Sequence, residues 1–366
     1  MASLITRSPE SARKPFTGRA VWHGRDLIAA GDWIWPLDGA AIAEIDAALA
    51  TAKALRPEWR AMTRADFPLP GLGPTLARLD EELEHGRGVV RLRGLPVARY
   101  DEDDLRRIFW GLGLHLGQPR PQNARGEMIG EVRDEVRAFG RVRHVVAIGG
   151  DGRVPLSSRA RARSSGALRF HTDRADVTAL LCVRPAAAGG VSQIVSALAV
   201  HNAILARRPD LLECLYGDYH RSRLGEEAGG EAQAYALPVF ATRDGRFTTQ
   251  YSRTFVEAAQ AIPGVPPLSP DQDEALDLHA ALCHELCAEA PFAPGDIQIF
   301  NNHVVYHART AYRDDDDSDR LLFRLWLAVA NSRALPAGHE VLWGRIDAGA
   351  IRGGIDQAVD GESGGH

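Results

Sequence analysis

The chain has 366 residues, 45% of them apolar and 25% charged, which is ordinary for a globular protein and enough for one large domain or two small ones. Its formal net charge of -5 and pI near 6.2 exclude a general affinity for nucleic acid or an anionic membrane, since either needs a basic surface to neutralise phosphates. No apolar run reaches the ~18 to 20 residues of a membrane span, and the N-terminal MASLITRSPESARKPF lacks an apolar signal core. Four cysteines (Cys182, Cys214, Cys283, Cys287) are too few for a disulfide framework, so the expectation is a cytoplasmic protein.

In chain order, residues 1–87 read as an N-terminal helical extension packed on the core. LDGAAIAEIDAALATAKAL (38–56) has helical periodicity, and GPTLARLDEELEHG (73–86) is a second helix stopped by glycine. GVVRLRGLPV (88–97) is the first strand and opens a domain that runs to residue 350. Asp101 caps the helix EDDLRRIFWGLGLHLG. A polar, Gly- and Arg-rich region then extends from 120 to 168, long enough for a lid, and its RARAR (159–163) reads as a solvated loop. A strand over 168–183, an AAAGG turn and the strand VSQIVS lead into a helix over ALAVHNAILARRPDLLECLY. LPVFATRDGRFTTQYSR (237–253) is a hairpin turning at Asp244-Gly245.

A helix pair fills roughly 254–289, where CHELC (283–287) is a helix face rather than a metal site because no second cysteine pair accompanies it. GDIQIFNNHVVYHARTAY and RLLFRLWLAVAN supply the closing strands, joined by the acidic RDDDDSD, a solvated turn. From residue 351 the glycine-rich chain, 351–366, is expected to be disordered. There is no repeat and no G-x-G-x-x-G opening a helix. Scattered strands with helices inserted between them suit a mainly β fold, a sandwich or jelly roll with helical insertions, better than a doubly wound sheet.

Two stretches carry chemistry. In RFHTDRADVTALLCV, His171 and Asp173 stand two apart, so on a strand their side chains share a face. NNHVVYHAR adds His303 or His307 as a third ligand. Two histidines and a carboxylate form the facial triad of non-haem iron(II) oxygenases, and catalytic zinc sites use the same set, so the ligands alone leave the metal open. In DRLLFRLWLAV, alternation puts Arg320, Leu322, Arg324 and Trp326 on one face. If both faces are covered, two buried guanidinium groups need anions: a dicarboxylate for one, an anionic substrate group for the other.

FHTD, then Gly-Gly and a hydroxyl residue at 189–192, then FNNHVVYHARTAY and R-x-x-x-R-L-W-L together resemble the taurine dioxygenase (TauD/TfdA-type) family of iron(II)/2-oxoglutarate-dependent oxygenases, with the clavaminate-synthase-like fold. The resemblance spans about residues 88–330. It implies a double-stranded β-helix (jelly roll), Fe(II) and 2-oxoglutarate as cofactors, and dioxygen and a small molecule as reaction partners. The implied reaction hydroxylates a C–H bond of a small polar or anionic metabolite, such as an amino acid, and releases succinate and CO2. Carried over by position, His171, Asp173 and His307 hold the metal, with His303 as a rival to His307. Arg320 and Ser192, where the family usually has threonine, hold 2-oxoglutarate, and Arg324 touches the cosubstrate or an anionic substrate. Tyr251 and Arg253 fall where the family lines its substrate pocket, while the taurine-binding residues have no clear match.

Halogenation is disfavoured, because halogenating relatives replace the carboxylate found here as Asp173. Two other readings stand beside this one: a non-catalytic jelly-roll binding or sensing module, and a zinc hydrolase using the same triad. The hydrolase lacks an obvious general base. No nucleic-acid or membrane partner is expected, and the substrate and oligomeric state are left open.

Overall fold

Segments rich in β-branched and aromatic residues pair into a seven-stranded and a four-stranded sheet, with three two-stranded ribbons beside them, in the computed structural model, which describes residues 13–56, 58–135, 137, 163–223, 231–316 and 319–355. The first half of the chain supplies β1 (Ile34–Pro36), β2 (Val89–Arg93), β3 (Gln118–Arg120), β4 (Ile129–Val132), β5 (Leu168–His171), β6 (Val177–Arg184), β7 (Ala188–Gly189) and β8 (Ser192–Ser196). The second supplies β9 (Asp218–Ser222), β10 (Ala234–Pro238), β11 (Phe240–Arg243), β12 (Arg246–Thr249), β13 (Ala288–Ala290), β14 (Ile297–Asn301), β15 (Val305–Arg309), β16 (Tyr312–Arg313) and β17 (Leu321–Ala328). The larger sheet has seven strands in the order β1-β2-β14-β6-β17-β3, with β4 also on β17, and the smaller has four in the order β13-β8-β15-β5. This is the expected open jelly roll with helical insertions, its sheets not closed into a barrel.

The larger sheet is buried on both faces, which is why β6 and β17 read as almost unbroken apolar runs. Leu321, Phe323, Leu325 and Leu327 share a core with Val177, Ala179 and Leu181 and with the helices Gly39–Leu55, Gly73–His85 and Glu102–Leu116. The opposite faces of β6 and β17 look toward the smaller sheet. Asp38, Asp101 and Ser269 cap their helices by accepting backbone N–H bonds, so the chain enters each helix where the sequence signals it. The hairpin β11-β12 turns at Asp244 and Gly245, both with positive φ (53° and 74°).

Four expectations are corrected. The helix over 197–216 is two, Ala197–Arg207 and Pro209–Leu215, because Pro209 forbids the helical conformation at Arg208, whose φ and ψ are -146° and 73°. The strand over 168–183 is also two, since the chain leaves the smaller sheet at His171 and re-enters the larger at Val177. Arg163, the last residue of RARAR, is buried and ion-paired to Glu127 and Glu135 rather than solvated. Residues 351–355 are ordered by the molecule: Arg352 Nε donates to Asp176 Oδ1 at 2.8 Å, and Ile355 packs on Ala175 and Trp326. Residues 356–366, the rest of RARAR, most of the lid region (136 and 138–162) and positions 317 and 318 of the acidic loop lie outside the described residues. Among the described helices, none is long and apolar enough to cross a membrane.

Burial disfavours the charged imidazole and lowers the pKa of His201, His279 and His339 from the ordinary 6.5 to about 4, about 3 and about 4. Below about pH 6.5 the unfolded chain therefore binds protons that the folded chain refuses. Stability present above that pH is lost as it falls toward 4. The urea midpoint should hold steady from about pH 8 to 7 and fall below about 6.5, by at most ~1.4 kcal/mol per histidine per pH unit. A midpoint unchanged down to about pH 4.5 would contradict this.

Candidate metal centre

His307, in the middle of β15, stands directly opposite His171, the last residue of β5. That antiparallel register brings the two imidazole rings to 4.0 Å between centroids. Asp173 lies beyond the end of β5, so its closeness to His171 does not come from alternation along one strand, as the spacing suggested. It comes from the connecting loop, which three hydrogen bonds fold back. Asp173 N donates to Asn302 Oδ1 at 2.9 Å, Asn302 Nδ2 donates to Thr178 Oγ1 at 3.0 Å, and Thr178 Oγ1 donates to Asp173 Oδ2 at 2.8 Å. Asp173 Oδ1 then lies 3.9 Å from His171 Nε2, and Oδ2 lies 3.6 Å from His307 Nε2. All three residues are buried, and each offers a ligand atom within 4.8 Å of the others.

The protonation states suit a cation. His171 Nδ1 sits 2.9 Å from the Arg169 carbonyl; donation there leaves Nε2 with its lone pair toward the centre. Burial lowers the pKa of His171, and burial and then the His171 ring hold that of His307 well below the usual histidine range. Burial opposes the charge on Asp173, but Arg324, the two histidines and Thr178 outweigh it and hold the carboxyl below the ordinary carboxylate range. Two neutral imidazoles and one carboxylate are thus ready to bind a divalent metal with little proton release. The His307 ring packs against Phe300 and His171.

His303 is excluded from this group by its own bonds. It lies in the turn between β14 and β15, not on the strand face of His307. Its Nδ1 meets Thr248 Oγ1 at 2.8 Å and its Nε2 meets Asp176 Oδ1 at 2.9 Å.

Two pockets adjoin the centre. One, of about 460 Å³, is lined by Ser192, His307, Arg309, Arg320 and Arg324, with Leu168, Leu180, Leu322 and Phe292 as apolar walls. Arg320 is 3% exposed; its Nη1 donates to the Val132 carbonyl at 3.3 Å, and its guanidinium and that of Arg309 lie 4.9 and 4.8 Å from the Tyr312 ring centre. Burial and then the charge of Arg320 lower the Arg309 pKa to about 10. Gly190 turns the chain here with φ 67°, and a Cβ on it would stand 3.2 Å from Arg320 Nε. Ser192 Oγ accepts from Gln298 Nε2 at 3.0 Å, which leaves its own proton for a ligand. The other pocket, of about 450 Å³, is lined by His171, Asp173, Arg174, Gln250, Arg324 and Trp326 among others. Arg324 belongs to both, held between Gln122 Oε1 at 2.7 Å and Asp173 Oδ1 at 3.3 Å.

Of the sequence-predicted residues, the structure gathers His171, Asp173, His307, Ser192, Arg320 and Arg324. It does not bring Tyr251 or Arg253 into either pocket. The Tyr251 ring is packed in the core on His279 and Tyr306, and Arg253 spends its guanidinium on Glu257 of its own helix and on Asp273 and Asp277 of the helix Pro270–Leu286. Sequence reading missed Asn302 and Thr178, which fold the Asp173 loop, and Arg309 and Arg174. The signals were present: a polar pair, Asn301-Asn302, between two apolar strands, and arginines directly beside the ligand motifs.

A buried His-carboxylate-His set between the two sheets of an open jelly roll is the arrangement of mononuclear non-haem oxygenases. The chain belongs to the family described as "Taurine catabolism dioxygenase TauD, TfdA family", whose model matches residues 51–326. It is 31% identical over 342 residues to FR-33289 synthase of Streptomyces rubellomurinus, covering 89% of this chain and 94% of that protein. A taurine hydroxylase-like protein of Stachybotrys chartarum is 29% identical, over 83% and 77% of the two chains. Among solved structures, asparagine oxygenase with Fe(II), 2S,3S-3-hydroxyasparagine and succinate aligns with a TM-score of 0.58 at 17% identity, over 87% of this chain and all (100%) of that one. The non-haem iron oxygenase OrfP with Fe and alpha-ketoglutaric acid aligns with a TM-score of 0.56 at 16% identity, over 80% and 93%.

His307→Ala should abolish anaerobic Fe(II) binding measured by equilibrium dialysis. His303→Asn should keep it within about threefold while lowering stability by ~1 to 3 kcal/mol, the cost of unpaired buried partners. Loss of metal in the second variant at full stability would reverse the assignment.

Proposed function

We propose that this protein is an iron(II)- and 2-oxoglutarate-dependent dioxygenase that hydroxylates a C–H bond of a small polar or anionic metabolite and releases succinate and CO2. The observation that carries the reading is a juxtaposition: the His171-Asp173-His307 set shares His307 and Arg324 with a buried pocket that holds two further arginines and a serine hydroxyl. A pocket of that kind demands a small anion with a negative group at its arginine end, and family membership supports 2-oxoglutarate as that anion.

His171, Asp173 and His307 would hold the iron. When bound, iron(II) and 2-oxoglutarate supply the oxidising chemistry, with dioxygen consumed and 2-oxoglutarate decarboxylated to succinate. The chain's own part is positioning. Arg320 takes the far carboxylate in its fork, helped by the Ser192 hydroxyl, while Leu168, Leu180, Leu322 and Phe292 exclude water around it. Arg324 keeps Asp173 ionised and faces the reacting end of both pockets.

A zinc hydrolase is disfavoured because, among the described residues, the second pocket is lined by no carboxylate other than Asp173 itself to serve as a base beside the ligands. A purely binding module leaves the complete ligand set without a purpose. An amino acid is the substrate class closest to the hydroxyasparagine named for asparagine oxygenase and the (3S)-hydroxy-L-Arg named for OrfP. We assign residues 88–350 to the catalytic domain and 1–87 to an extension sharing its core through Ile45, Leu49, Leu76 and Leu79. A cytoplasmic location accords with four cysteines that are all free thiols.

Arg320→Lys should raise the Michaelis constant for 2-oxoglutarate by roughly ten- to a hundredfold, because a charge-assisted bond of this kind contributes ~1.5 to 3 kcal/mol. Ser192→Ala should raise it less. If Arg324→Lys raises it and Arg320→Lys does not, the two arginines exchange roles; if neither does, the cosubstrate assignment fails.

A further inference from the structure

The second pocket holds three polar side-chain atoms that bulk water does not reach and the fold does not pair. Trp326 Nε1, Arg174 Nη1 and Gln250 Oε1 each belong to a residue lining this pocket, and each is buried with no hydrogen-bond partner among the described residues. Buried polar atoms without partners are uncommon, because each forfeits the hydrogen bond it had in water. Two of these atoms are donors and one is an acceptor, and the residues that carry them line the space beside His171 and Asp173.

Charge on this wall points the same way. Arg174 follows Asp173 directly in the chain; its Nε donates to the Leu342 carbonyl at 2.7 Å and its Nη2 to Glu231 Oε1 at 3.1 Å. Arg223 Nη1 also lies 3.3 Å from Glu231 Oε1. Among the described residues lining the pocket, Asp173 is the one carboxylate, and it is already engaged by Arg324. Arg174 and Arg324 bring positive charge to this wall. Phe255 and Leu342 supply apolar wall between these polar atoms.

We propose that Arg174, with Trp326 and Gln250, determines substrate specificity: Arg174 Nη1 and Trp326 Nε1 donate to an oxyanion of the substrate, and Gln250 Oε1 accepts from an N–H or O–H on the same molecule. The substrate class is then a small oxyanion bearing an amine, amide or hydroxyl donor. This rests on the proposed oxygenase reading and goes beyond it, because it moves anion recognition from Arg324, which is tied to Asp173 and Gln122, to Arg174. Arg174 and Gln250 are specificity residues that touch substrate, not members of the metal set.

The test uses the whole chain loaded with Fe(II), 2-oxoglutarate and dioxygen, with succinate release as readout. The probes are the twenty L-amino acids, their methyl esters, their deaminated carboxylic acids, and aminoalkyl sulfonates and phosphonates, so that the oxyanion arms separate carboxylate from the other sources. At least one amino-bearing oxyanion should raise succinate release above the probe-free rate, while its ester and its deaminated counterpart should do so at least tenfold less efficiently. Arg174→Met should raise the Michaelis constant for that probe at least tenfold and narrow the preference for acid over ester, with the constant for 2-oxoglutarate moving less than threefold. Arg174→Lys, the variant to use if Arg174→Met fails to fold, should recover part of that loss. Stimulation by esters as strongly as by acids, no stimulation by any probe above a measurable probe-free rate, or no effect of Arg174→Met or Arg174→Lys on probe selectivity would overturn the inference. A wild-type enzyme that never forms succinate with or without probes would instead overturn the oxygenase reading on which it rests.

Discussion

The site depends on one register: His307 of β15 opposite His171 of β5. A shift of that pairing by one residue would turn His307 to the other face of its strand and dissolve the group. The register is secured on both sides of β15, since β8 pairs along its other edge from Ser192↔Arg309 to Ser196↔Val305. Because Ser192 and His307 lie on adjacent strands of one sheet, the pairing that gathers the metal ligands also places the hydroxyl proposed for the cosubstrate. The larger sheet then needs only to present Arg320 and Arg324 from across the interior.

Those arginines explain why the interior is stable without being wholly apolar. A lone buried guanidinium is costly, yet here each is braced: Arg320 on the Val132 carbonyl and the Tyr312 ring, Arg324 on Gln122 and Asp173. The bracing leaves donors over for ligands. Farther out, Arg352 and His303 both bind Asp176, whose backbone oxygen accepts from Asn302 N at 2.9 Å, and Asn302 in turn fixes the Asp173 loop. The end of the described chain is thereby linked to the metal centre through three side chains.

What the sequence disclosed follows from what is local. Strand alternation in DRLLFRLWLAV placed Arg320, Leu322 and Arg324 on the inner face and Leu321, Phe323, Leu325 and Leu327 on the other, as the two sides of the larger sheet require. Helix caps and the Asp244-Gly245 turn were legible because each is specified by one or two residues. The triad was legible as residue types with a spacing, but the reason offered for it was mistaken: the strand stops at His171, and a loop held by Asn302, 129 positions away in sequence, delivers Asp173. Long-range hydrogen bonds of this sort leave no local period. The same blindness put Tyr251 and Arg253 at the pocket, when the acidic face of the helix Pro270–Leu286 draws Arg253 away. It also called residues 351–355 disordered, although Gly353 and Gly354, at φ 67° and 72°, let this segment lie where a Cβ would stand 2.7 Å from the Arg174 carbonyl oxygen and 3.0 Å from that of Pro121.

The central claim is that one iron and one 2-oxoglutarate share the space bounded by His171, Asp173, His307 and Arg320. It is tested most directly by anaerobic titration of the protein with Fe(II) in the presence of 2-oxoglutarate, followed by visible absorption. A weak charge-transfer band that saturates at about one iron per chain, is absent with either component alone, and is lost in Asp173→Ala is the predicted result. No band under saturating conditions, or a band that persists unchanged in Asp173→Ala, would contradict the account.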